Sequence, residues 1–476
     1  MTAGIGYKMG GLHLQVLTDD QVQKIHYATL EVLERTGVTV NHAAALDMLA
    51  GAGAKVAEKS RVKLPAWLVA KALASAPLRV VLCNRDGERA LLLEGDRCYF
   101  GCSTDCFDYL DPVSGTKRPF KPEDGRDMAL LADFLPNVNF GNRAGWGVGI
   151  REGLRERLQF KQLLSILSKP MGIGCADINV LRDVLTMAEI IAGGHEELTR
   201  APFVFHVADP VTPLQHDGAT IDRLFLCADF GIPLIYASMP LMGTTTPASL
   251  AATLAVANAE VLSGLVLHQL KHPGAPFIYG SISTIMDMRS GVCSYGAPEM
   301  HLMVAAVTQL SHYYGLPMYG TAGCSDAPEV DAQAGAEAVV STLFSLLSGA
   351  NLVHDVGLIG HCAAVGPEML VLADEIIEMV GRACQTVGVS DETLLLGQID
   401  RVGPGGSHLA EEHTLAHFRE IWHSTLFTRA RETSDHLVER LRARALDIIE
   451  KHQPKPLPED VSRELENMER HWRETL

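Results

Sequence analysis

The stretch that decides the fold runs from Pro317 to Glu375, PMYGTAGCSDAPEVDAQAGAEAVVSTLFSLLSGANLVHDVGLIGHCAAVGPEMLVLADE. It contains two consecutive strand–loop–helix units. The first unit is a short apolar run, a polar glycine-rich loop and an amphipathic helix predicted over about 329–347. The second has a strand at 351–354 and a helix opened by Pro367, whose missing N–H is harmless in a first turn. Polar residues gather after each strand, which is where parallel α/β folds place their functional groups.

The same alternation of strands and helices extends along the chain. Strands are predicted at Val138–Arg143, Met171–Cys175, Phe203–Val207, Pro233–Ala237, Phe277–Tyr279, Met318–Gly320 and Leu352–His354. Helical stretches separate them, and this alternation predicts a parallel sheet with helical crossovers. The expected fold class is therefore α/β, a TIM (β/α)8 barrel, with the eighth strand near Leu394–Asp400. An open doubly wound sheet is the alternative.

The chain of 476 residues is longer than one barrel of about 250 residues, so additional regions are expected. Residues 1–125 are predicted to form an N-terminal α+β region, with a helix capped at Thr18 or Asp19 and a hairpin over 78–95. The barrel is assigned to 126–405 and a C-terminal helical extension to 406–476. The last helix of the extension is interpreted either as an oligomer contact or as a solvated arm.

The amino-acid composition excludes several classes of function. Hydrophobic residues make up 47% and charged residues 20%, as in an ordinary globular enzyme. The net charge of −17 argues against nucleic acid as a partner. The beginning of the chain lacks a signal-peptide pattern, and the apolar run Leu250–Leu270 is interrupted by polar residues, which predicts a core helix. Ten cysteines without a secretion signal indicate reduced thiols, so a cytoplasmic protein is expected, not a membrane protein.

Four motifs carry a family resemblance: SDAPEVDAQAGAEA (325–338), GPEMLVLADEII (366–377), MDMRSG (286–291) and GPGGSHLAEEHTLAHFRE (403–420). With the run beginning DPVSGTKRPF at Asp111, they resemble the trimethylamine methyltransferase family of corrinoid-dependent methyltransferases. Archaeal members carry pyrrolysine, whereas every residue here is a standard one. The resemblance thus favours the branch similar to glycine betaine methyltransferases.

The resemblance implies a methyltransferase that moves a methyl group from a quaternary amine to Co(I) of a corrinoid. The cofactor would be supplied by a separate corrinoid-binding protein that docks over the barrel, with none tightly bound to this chain. No catalytic side chain is expected, because a quaternary nitrogen leaves as a neutral amine without receiving a proton. The enzyme is expected to position the methyl donor. A homo-oligomer is also expected.

A quaternary amine needs an electron-rich cage for its cation and a hydrogen-bonding partner for any carboxylate. The cage candidates are Tyr99, Trp146, Phe205, Tyr236 and Tyr279. The carboxylate candidates are Arg289, His354 and Arg401. Further polar candidates at strand ends are Asn142, His206, Ser281 and Thr321, with Asp209 and Asp355 beside two of the histidines.

Two other functions stay open. Cys293, Cys324 and Cys362 follow successive strands and could converge as a zinc site, which would make the protein a zinc-dependent thiol or methanol methyltransferase. Small buried thiols are the alternative, and no metal is expected. The set Cys98, Cys102 and Cys106 lacks zinc-site spacing. A betaine-binding protein without enzymatic activity is the other possibility, and proline betaine or carnitine could replace glycine betaine.

Overall fold

Eight parallel strands form the centre of the protein. The computed structural model describes residues 7–8, 11–102, 105–149, 151, 153–431 and 436–476. The strands are β1 (Arg97–Cys102), β2 (Val138–Phe140), β3 (Met171–Gly174), β4 (Val204–Ala208), β5 (Leu234–Ser238), β6 (Phe277–Ser281), β7 (Met318–Thr321) and β8 (Leu352–Val356). Neighbouring pairs run in the order β2–β1–β8–β7–β6–β5–β4–β3. A parallel bridge between Gly141 and Met171 joins β2 to β3, so the ring closes and the predicted TIM barrel is confirmed.

A helix follows each strand. The helices are α1 (Pro122–Phe134), α2 (Leu154–Ile166), α3 (Ile178–Ala192), α4 (Gly218–Phe230), α5 (Leu250–Lys271), α6 (Pro298–Tyr313), α7 (Ala332–Ser348) and α8 (Pro367–Ala383). Local sequence sets their ends. The Asp331 side chain accepts a hydrogen bond from the Ala334 N–H at the start of α7, and Gly349 ends the helix at a φ of 80°.

The prediction of the eighth strand near Leu394–Asp400 was wrong. Asp391–Leu394 and Leu396–Val402 are helical. The missing strand is β1, which lies inside the range assigned to the N-terminal region and pairs with both β2 and β8. It follows the hairpin directly, with no helix between them, and so it does not show the strand–helix alternation on which the sequence prediction relied.

The N-terminal region packs beside the barrel and closes one of its ends. It contains helices Asp19–Glu31, Ala43–Gly51 and Ala66–Ser75, a π turn Val32–Thr36, a 3-10 turn Glu58–Ser60 and strands Tyr7–Lys8, Val38–Val40, Lys55–Val56 and Arg61–Lys63. The predicted hairpin is confirmed as Val80–Cys83 paired with Arg89–Leu93. The N–H of Cys83 donates to the carbonyl of Pro202 and that of Arg85 to Ser168, just before β4 and β3. The hairpin therefore covers the N-terminal ends of the barrel strands.

Two small sheets lie at the opposite end, after the strands. One contains Leu241–Met242, Thr284–Met286 and Cys293–Ser294, and the other Leu358–Ile359, Ala364–Val365, Asp108–Leu110 and Lys117–Pro119. A short strand Gln215–His216 pairs with the N-terminal sheet. The loops that carry functional groups in barrels are thus held by sheet hydrogen bonds at the C-terminal end.

Two long helices close the chain against the outside of the barrel. Leu437–Lys451 packs against α8 and α1, and Glu459–Thr475 packs against α2 and α3. Leu465 and Trp472 of the last helix are buried. This contact contradicts the interpretation of the last helix as a solvated arm. Between α8 and these helices lie the short helix Glu412–His417 and the 3-10 turn Phe418–Glu420.

Helix α5 is the only helix within the described ranges that is long and apolar enough to cross a membrane by length and composition. Most of it is buried inside the protein, however. Its polar residues Asn258, Glu260, Ser263 and His268 are also fully buried. The predicted core helix is confirmed.

Candidate active site

Several predicted residues face the helices, not the barrel interior. The Tyr236 ring lies against Gly264 of α5, and its hydroxyl is 2.6 Å from Nδ1 of His216. Tyr279 donates its hydroxyl hydrogen to Asn258 of α5 over 3.0 Å. These two tyrosines therefore do not belong to a cage around a ligand in the barrel. Strand alternation places Ser281 on the same face as Tyr279, and its hydroxyl is 2.8 Å from that of Ser283.

Phe205 lies inside the barrel, packed among other side chains. Its ring meets that of Phe140 at 5.8 Å between centroids. Both residues are completely buried. The Tyr99 hydroxyl accepts a hydrogen bond from the Leu92 N–H of the hairpin, so this tyrosine belongs to the closed end. Phe205 and Tyr99 are therefore packed among other residues of the protein, and neither ring is exposed to a ligand.

Asn142 lies above that layer. Its amide donates to the carbonyl of Cys102 over 2.8 Å, and its side-chain oxygen occupies the place where a Cβ on Gly172 would lie. This arrangement joins the ends of β1, β2 and β3. Asn142 is consequently held by the backbone, with its amide group already engaged.

The remaining predicted residues are dispersed. The guanidinium of Arg143 lies 4.1 Å from the centre of the Trp146 ring, so an arginine already covers this indole. Arg289 is exposed on the rim, and Arg401 is exposed and bonded to Glu411 on a segment that leaves the barrel. His206 is buried, its Nδ1 bonded to the Ile173 carbonyl, and burial lowers the pKa of its imidazole to about 3. The five aromatic residues predicted to form a cage therefore do not converge on one site.

The ends of β7 and β8 bring together two predicted residues. Thr321 donates its hydroxyl hydrogen to Asp355 over 2.6 Å. His354 places Nε2 3.2 Å from the same carboxylate and stacks on Tyr319 at 4.3 Å between ring centroids. Asp355 has a φ of 73°, a left-handed conformation that is unusual outside glycine and is tolerated best by Asp and Asn. Strained backbone of this kind concentrates at functional sites.

The side chain of Tyr319 points into the barrel. Burial raises the pKa of its hydroxyl well above the usual value, and the carboxylates of Asp355, Asp209 and Asp105 raise it further. Asp355 lies in β8 and Asp105 follows the neighbouring strand β1, whereas Asp209 follows β4, farther round the ring. Only a side chain directed toward the barrel axis can be close to all of them. We call the group Tyr319, His354, Asp105, Asp209 and Asp355 the acidic recess.

Asp209 is the most accessible member of the acidic recess. Its side chain is exposed to solvent. Loss of bulk water nonetheless raises the pKa of its carboxyl to about 7, with a further contribution from Asp105 and an opposing one from Arg223. The two observations are compatible, because a side chain can keep part of its surface exposed while the surrounding protein removes most of the water that would stabilise its charge.

Asp105 is fixed from the outer side by Arg143, whose Nε is 3.0 Å from the Asp105 carboxylate. The same guanidinium bonds to the buried Glu156 over 3.0 Å. One arginine is therefore shared between two carboxylates, which leaves the surroundings of Asp105 with an excess of negative charge. Sequence reasoning missed Asp105 and Tyr319. Asp105 was missed because β1 was not recognised, and Tyr319 because its predicted strand gave no indication of which face is inside.

The three cysteines proposed as zinc ligands do approach one another. Cys362 is bonded to Tyr295 and raises the pKa of the Cys324 thiol, and Cys293 raises the pKa of the Cys362 thiol. Burial raises the pKa of all three thiols, that of Cys362 to about 12. Zinc requires thiolates. Within the described parts of the chain, no group of three or more His, Cys, Asp or Glu could hold a metal ion.

The site is thus an anionic recess at the C-terminal end of a parallel barrel, the position used by barrel enzymes. A family model described as trimethylamine methyltransferase (MTTB) matches residues 8–475. The chain belongs to this methyltransferase family, and the resemblance drawn from its motifs is confirmed.

Curated relatives cover nearly the whole chain. The trimethylamine methyltransferase MttB of Desulfitobacterium hafniense is 31% identical over 473 residues, covering 98% of this chain and 95% of the relative. The glycine betaine methyltransferase of another strain of that species is 32% identical over 460 residues, with 95% of each chain covered. Among solved structures, the monomethylamine methyltransferase of Methanosarcina barkeri matches with a TM-score of 0.48 at 13% identity, covering 93% of this chain and 89% of that one.

Proposed function

We propose that the protein transfers a methyl group from a quaternary amine to a reduced corrinoid carried by a separate protein. Glycine betaine is the first candidate substrate, and dimethylglycine would be the product. The observation that carries the proposal is the acidic recess, in which the charges of Asp105, Asp209 and Asp355 all act on Tyr319 and His354 stacks on its ring beside Asp355. Such a site attracts a permanent cation, and both carboxylates and the tyrosine ring can stabilise it.

The reaction needs no proton from the enzyme. When the carbon–nitrogen bond of a quaternary ammonium breaks, the electron pair stays on nitrogen and neutralises its charge. A neutral tertiary amine then leaves without a general acid. The acidic recess fits this requirement, because it offers a counter-charge to the substrate instead of a proton donor.

The residues of the recess have distinct tasks in this proposal. Asp209 supplies an accessible negative charge beside the ammonium group, and the electron-rich Tyr319 ring, buried under the stacked His354, lies behind it. Thr321 donates a hydrogen bond to the Asp355 carboxylate, and Nε2 of His354 lies 3.2 Å from the same oxygen. Held in this way, the substrate can point one methyl group out of the barrel, and the gain is one of positioning.

A betaine also carries a carboxylate, which a purely acidic recess would repel. Arg223 of α4 is a candidate cation for binding this carboxylate. It lowers the pKa of Asp209 and is therefore near the recess. It is also buried, and its Nε has no hydrogen-bond partner among the described residues. We propose Arg223 as the anchor of the substrate carboxylate, in place of Arg289, His354 and Arg401.

The corrinoid would supply the nucleophile that accepts the methyl group. It would come from outside, over the C-terminal end of the barrel. The accessibility of Asp209 supports this, since the recess is open to that side. The contribution of this chain is to hold the donor and to surround it with fixed side chains that exclude bulk water.

The test is an incubation of the purified protein with reduced cobalamin and one of four amines: glycine betaine, proline betaine, carnitine or trimethylamine. We expect dimethylglycine from glycine betaine and no demethylation of trimethylamine. Turnover of only proline betaine or carnitine would keep the mechanism and change the substrate. Demethylation of trimethylamine at a comparable rate would contradict the proposal, and binding of all betaines without turnover would indicate a binding protein.

A further inference from the structure

A buried ion pair lies beside the acidic recess. Arg143, which follows β2, donates from Nη1 to Oε1 of Glu156, in the first turn of α2, over 3.0 Å. Its Nε and Nη2 both donate to Oδ1 of Asp105, the Nε over 3.0 Å. The guanidinium also stacks on Trp146 at 4.1 Å and on Phe160 at 5.3 Å from the ring centres. These contacts fix the position of the cation.

The two carboxylates that contact Arg143 differ in their exposure. The side chains of Arg143 and Glu156 are 3% and 5% exposed, whereas that of Asp105 is 34% exposed. A buried charge without a counter-charge is strongly unfavourable, and Glu156 supplies that counter-charge inside the protein. The three groups together keep one net negative charge, and Asp105 is the member that reaches the solvent and the recess.

The charge of Asp105 acts on the rest of the recess. Burial is the main cause of the raised pKa of the Asp209 carboxyl, the charge of Asp105 raises it further, and Arg223 opposes both. The hydroxyls of Tyr236 and Tyr319 also interact with the charge of Asp209. Burial raises the pKa of both tyrosines well above the usual range, so both stay neutral. Among these groups, Asp105 and Arg223 are thus the charges that act on Asp209.

The charge of Glu156 also acts beyond the ion pair. Burial raises the pKa of the Cys175 thiol, just after β3, to about 12, and Glu156 raises it further, whereas Arg223 and Arg143 lower it. A group within range of both arginines is therefore also within range of Glu156. Arg155, one residue before Glu156, is partly exposed, so solvent screens its charge more strongly than that of the buried Arg143.

We propose that Glu156 is a positioning residue for the substrate cation, acting through Arg143 and Asp105. It compensates the buried charge of Arg143, so the negative charge of Asp105 stays available to a quaternary ammonium group in the recess. Without this carboxylate, the same arginine offsets the charge of Asp105, and the recess attracts a cation less strongly. The inference rests on the proposed function, because it assigns a role in binding the substrate at that same site.

Glu156→Gln tests the inference, since the amide keeps an oxygen that can accept the Arg143 bond and removes only the charge. Isothermal titration calorimetry of the full chain measures the dissociation constants of glycine betaine and of tetramethylammonium, a cation without a carboxylate, from pH 5.5 to 8.5. At pH 8.5 we expect both constants to rise about five- to tenfold.

The pH dependence distinguishes a charge effect from a structural one. Loss of a nearby negative charge lowers the pKa of a carboxyl group, so the midpoint of the pH dependence of binding should move about half a unit lower in Glu156→Gln. A purely structural defect would weaken binding at every pH without moving the midpoint, and that result would contradict the inference.

Asp124→Asn is the matched control. The Asp124 side chain is likewise 5% exposed and shares Arg118 with Asp111, with bonds of 2.7 Å from the guanidinium to each carboxylate. Its charge acts on Tyr109 and Asp127, outside the acidic recess. Asp124→Asn should therefore leave both dissociation constants and the midpoint unchanged.

A second variant decides the question if Glu156→Gln does not fold. Arg143→Met/Glu156→Met removes both buried charges together, an exchange that protein interiors often tolerate. Because the pair is neutral as a whole, this double variant should keep both dissociation constants within about threefold of the wild type. Circular dichroism checks that each variant is folded.

The outcomes separate the inference from the proposed function. Unchanged affinity in folded Glu156→Gln, or a large loss of affinity in the folded double variant, would overturn the inference alone. A wild-type chain that binds tetramethylammonium but not glycine betaine would contradict the proposed substrate, and the shift measured with tetramethylammonium would still decide the inference. A wild-type chain that binds neither cation would overturn both.

Discussion

The inner and outer faces of the same barrel strands contain similar residues with different tasks. On the outer face, Tyr236, Tyr279 and Ser238 lie against α5. Asn258 and Glu260 of α5 bond to the hydroxyls of Tyr279 and Ser238, and His216 of the strand Gln215–His216 bonds to that of Tyr236. On the inner face, the charges of Asp355, Asp209 and Asp105 act together on Tyr319, and the Arg143 guanidinium beside Asp105 is shared with Glu156. A polar layer with satisfied hydrogen bonds stabilises the fold. An unneutralised group of charges destabilises it and indicates a binding function.

The largest expected effect concerns the outer face. Glu260 accepts hydrogen bonds from Thr212, the Leu214 N–H and Ser238. Glu260→Ala leaves these buried donors without a partner, and we expect the free energy of unfolding to fall by about 3 kcal/mol. Denaturant unfolding measures the loss. Folded Glu260→Ala should bind substrate like the wild type, and a large change in affinity would contradict the assignment of α5 to stability.

The second prediction concerns the inner face. Asp209→Asn removes the accessible charge of the acidic recess, so the dissociation constant of glycine betaine should rise about 10–30-fold, equivalent to about 2 kcal/mol. Isothermal titration calorimetry measures it. Asp222→Asn, on the outer side of α4, is the control and should have no effect on affinity. Equal affinities of wild type and Asp209→Asn would remove Asp209 from the site.

The stability of Asp209→Asn should not fall with its substrate affinity. The pKa of Asp209 is raised in the folded protein, so its ionised form is less favourable there than in the unfolded chain. At pH 8 Asp209→Asn should therefore unfold at a temperature equal to or above that of the wild type. A clear loss of stability would mean that Asp209 is a structural residue.

The smallest expected effect comes from a comparison of two tyrosines on adjacent strands. Tyr319→Leu removes a ring from the acidic recess and should weaken substrate binding by about 1 kcal/mol, or roughly fivefold. Tyr279→Leu removes a ring of the same size from the outer face. It should lower stability and leave the dissociation constant within about twofold. If both variants lose affinity equally, the distinction between the two faces does not hold.

Sequence reasoning located the strands but not their faces. All seven predicted barrel strands are present, because each is an apolar run between helices. Strands of a parallel barrel are buried on both sides, as in FIYGS of β6, so alternation does not show which residues face inward. Tyr236 and Tyr279 were therefore chosen by residue type, and the contacts with α5 exclude them.

The rest of the site depends on long-range geometry. Asp105 follows a strand that the pattern did not reveal, and Tyr319 becomes distinctive only through carboxylates from three separate segments of the chain. Asp209 and Asp355 could be recognised in part, since they follow predicted strands. Their convergence on one point results from closure of the ring, which no local pattern contains.

The pH dependence of substrate binding tests the central claim most directly. Glycine betaine keeps its ammonium charge at every pH, so any titration between pH 5.5 and 8.5 belongs to the protein. Ionised Asp209 binds the cation and protonated Asp209 does not, so the affinity should be constant above about pH 7 and fall by up to tenfold per unit below it. Asp209→Asn should lose this dependence. A wild-type affinity that is constant from pH 5.5 to 8.5, or an equal dependence in Asp209→Asn, would contradict the account.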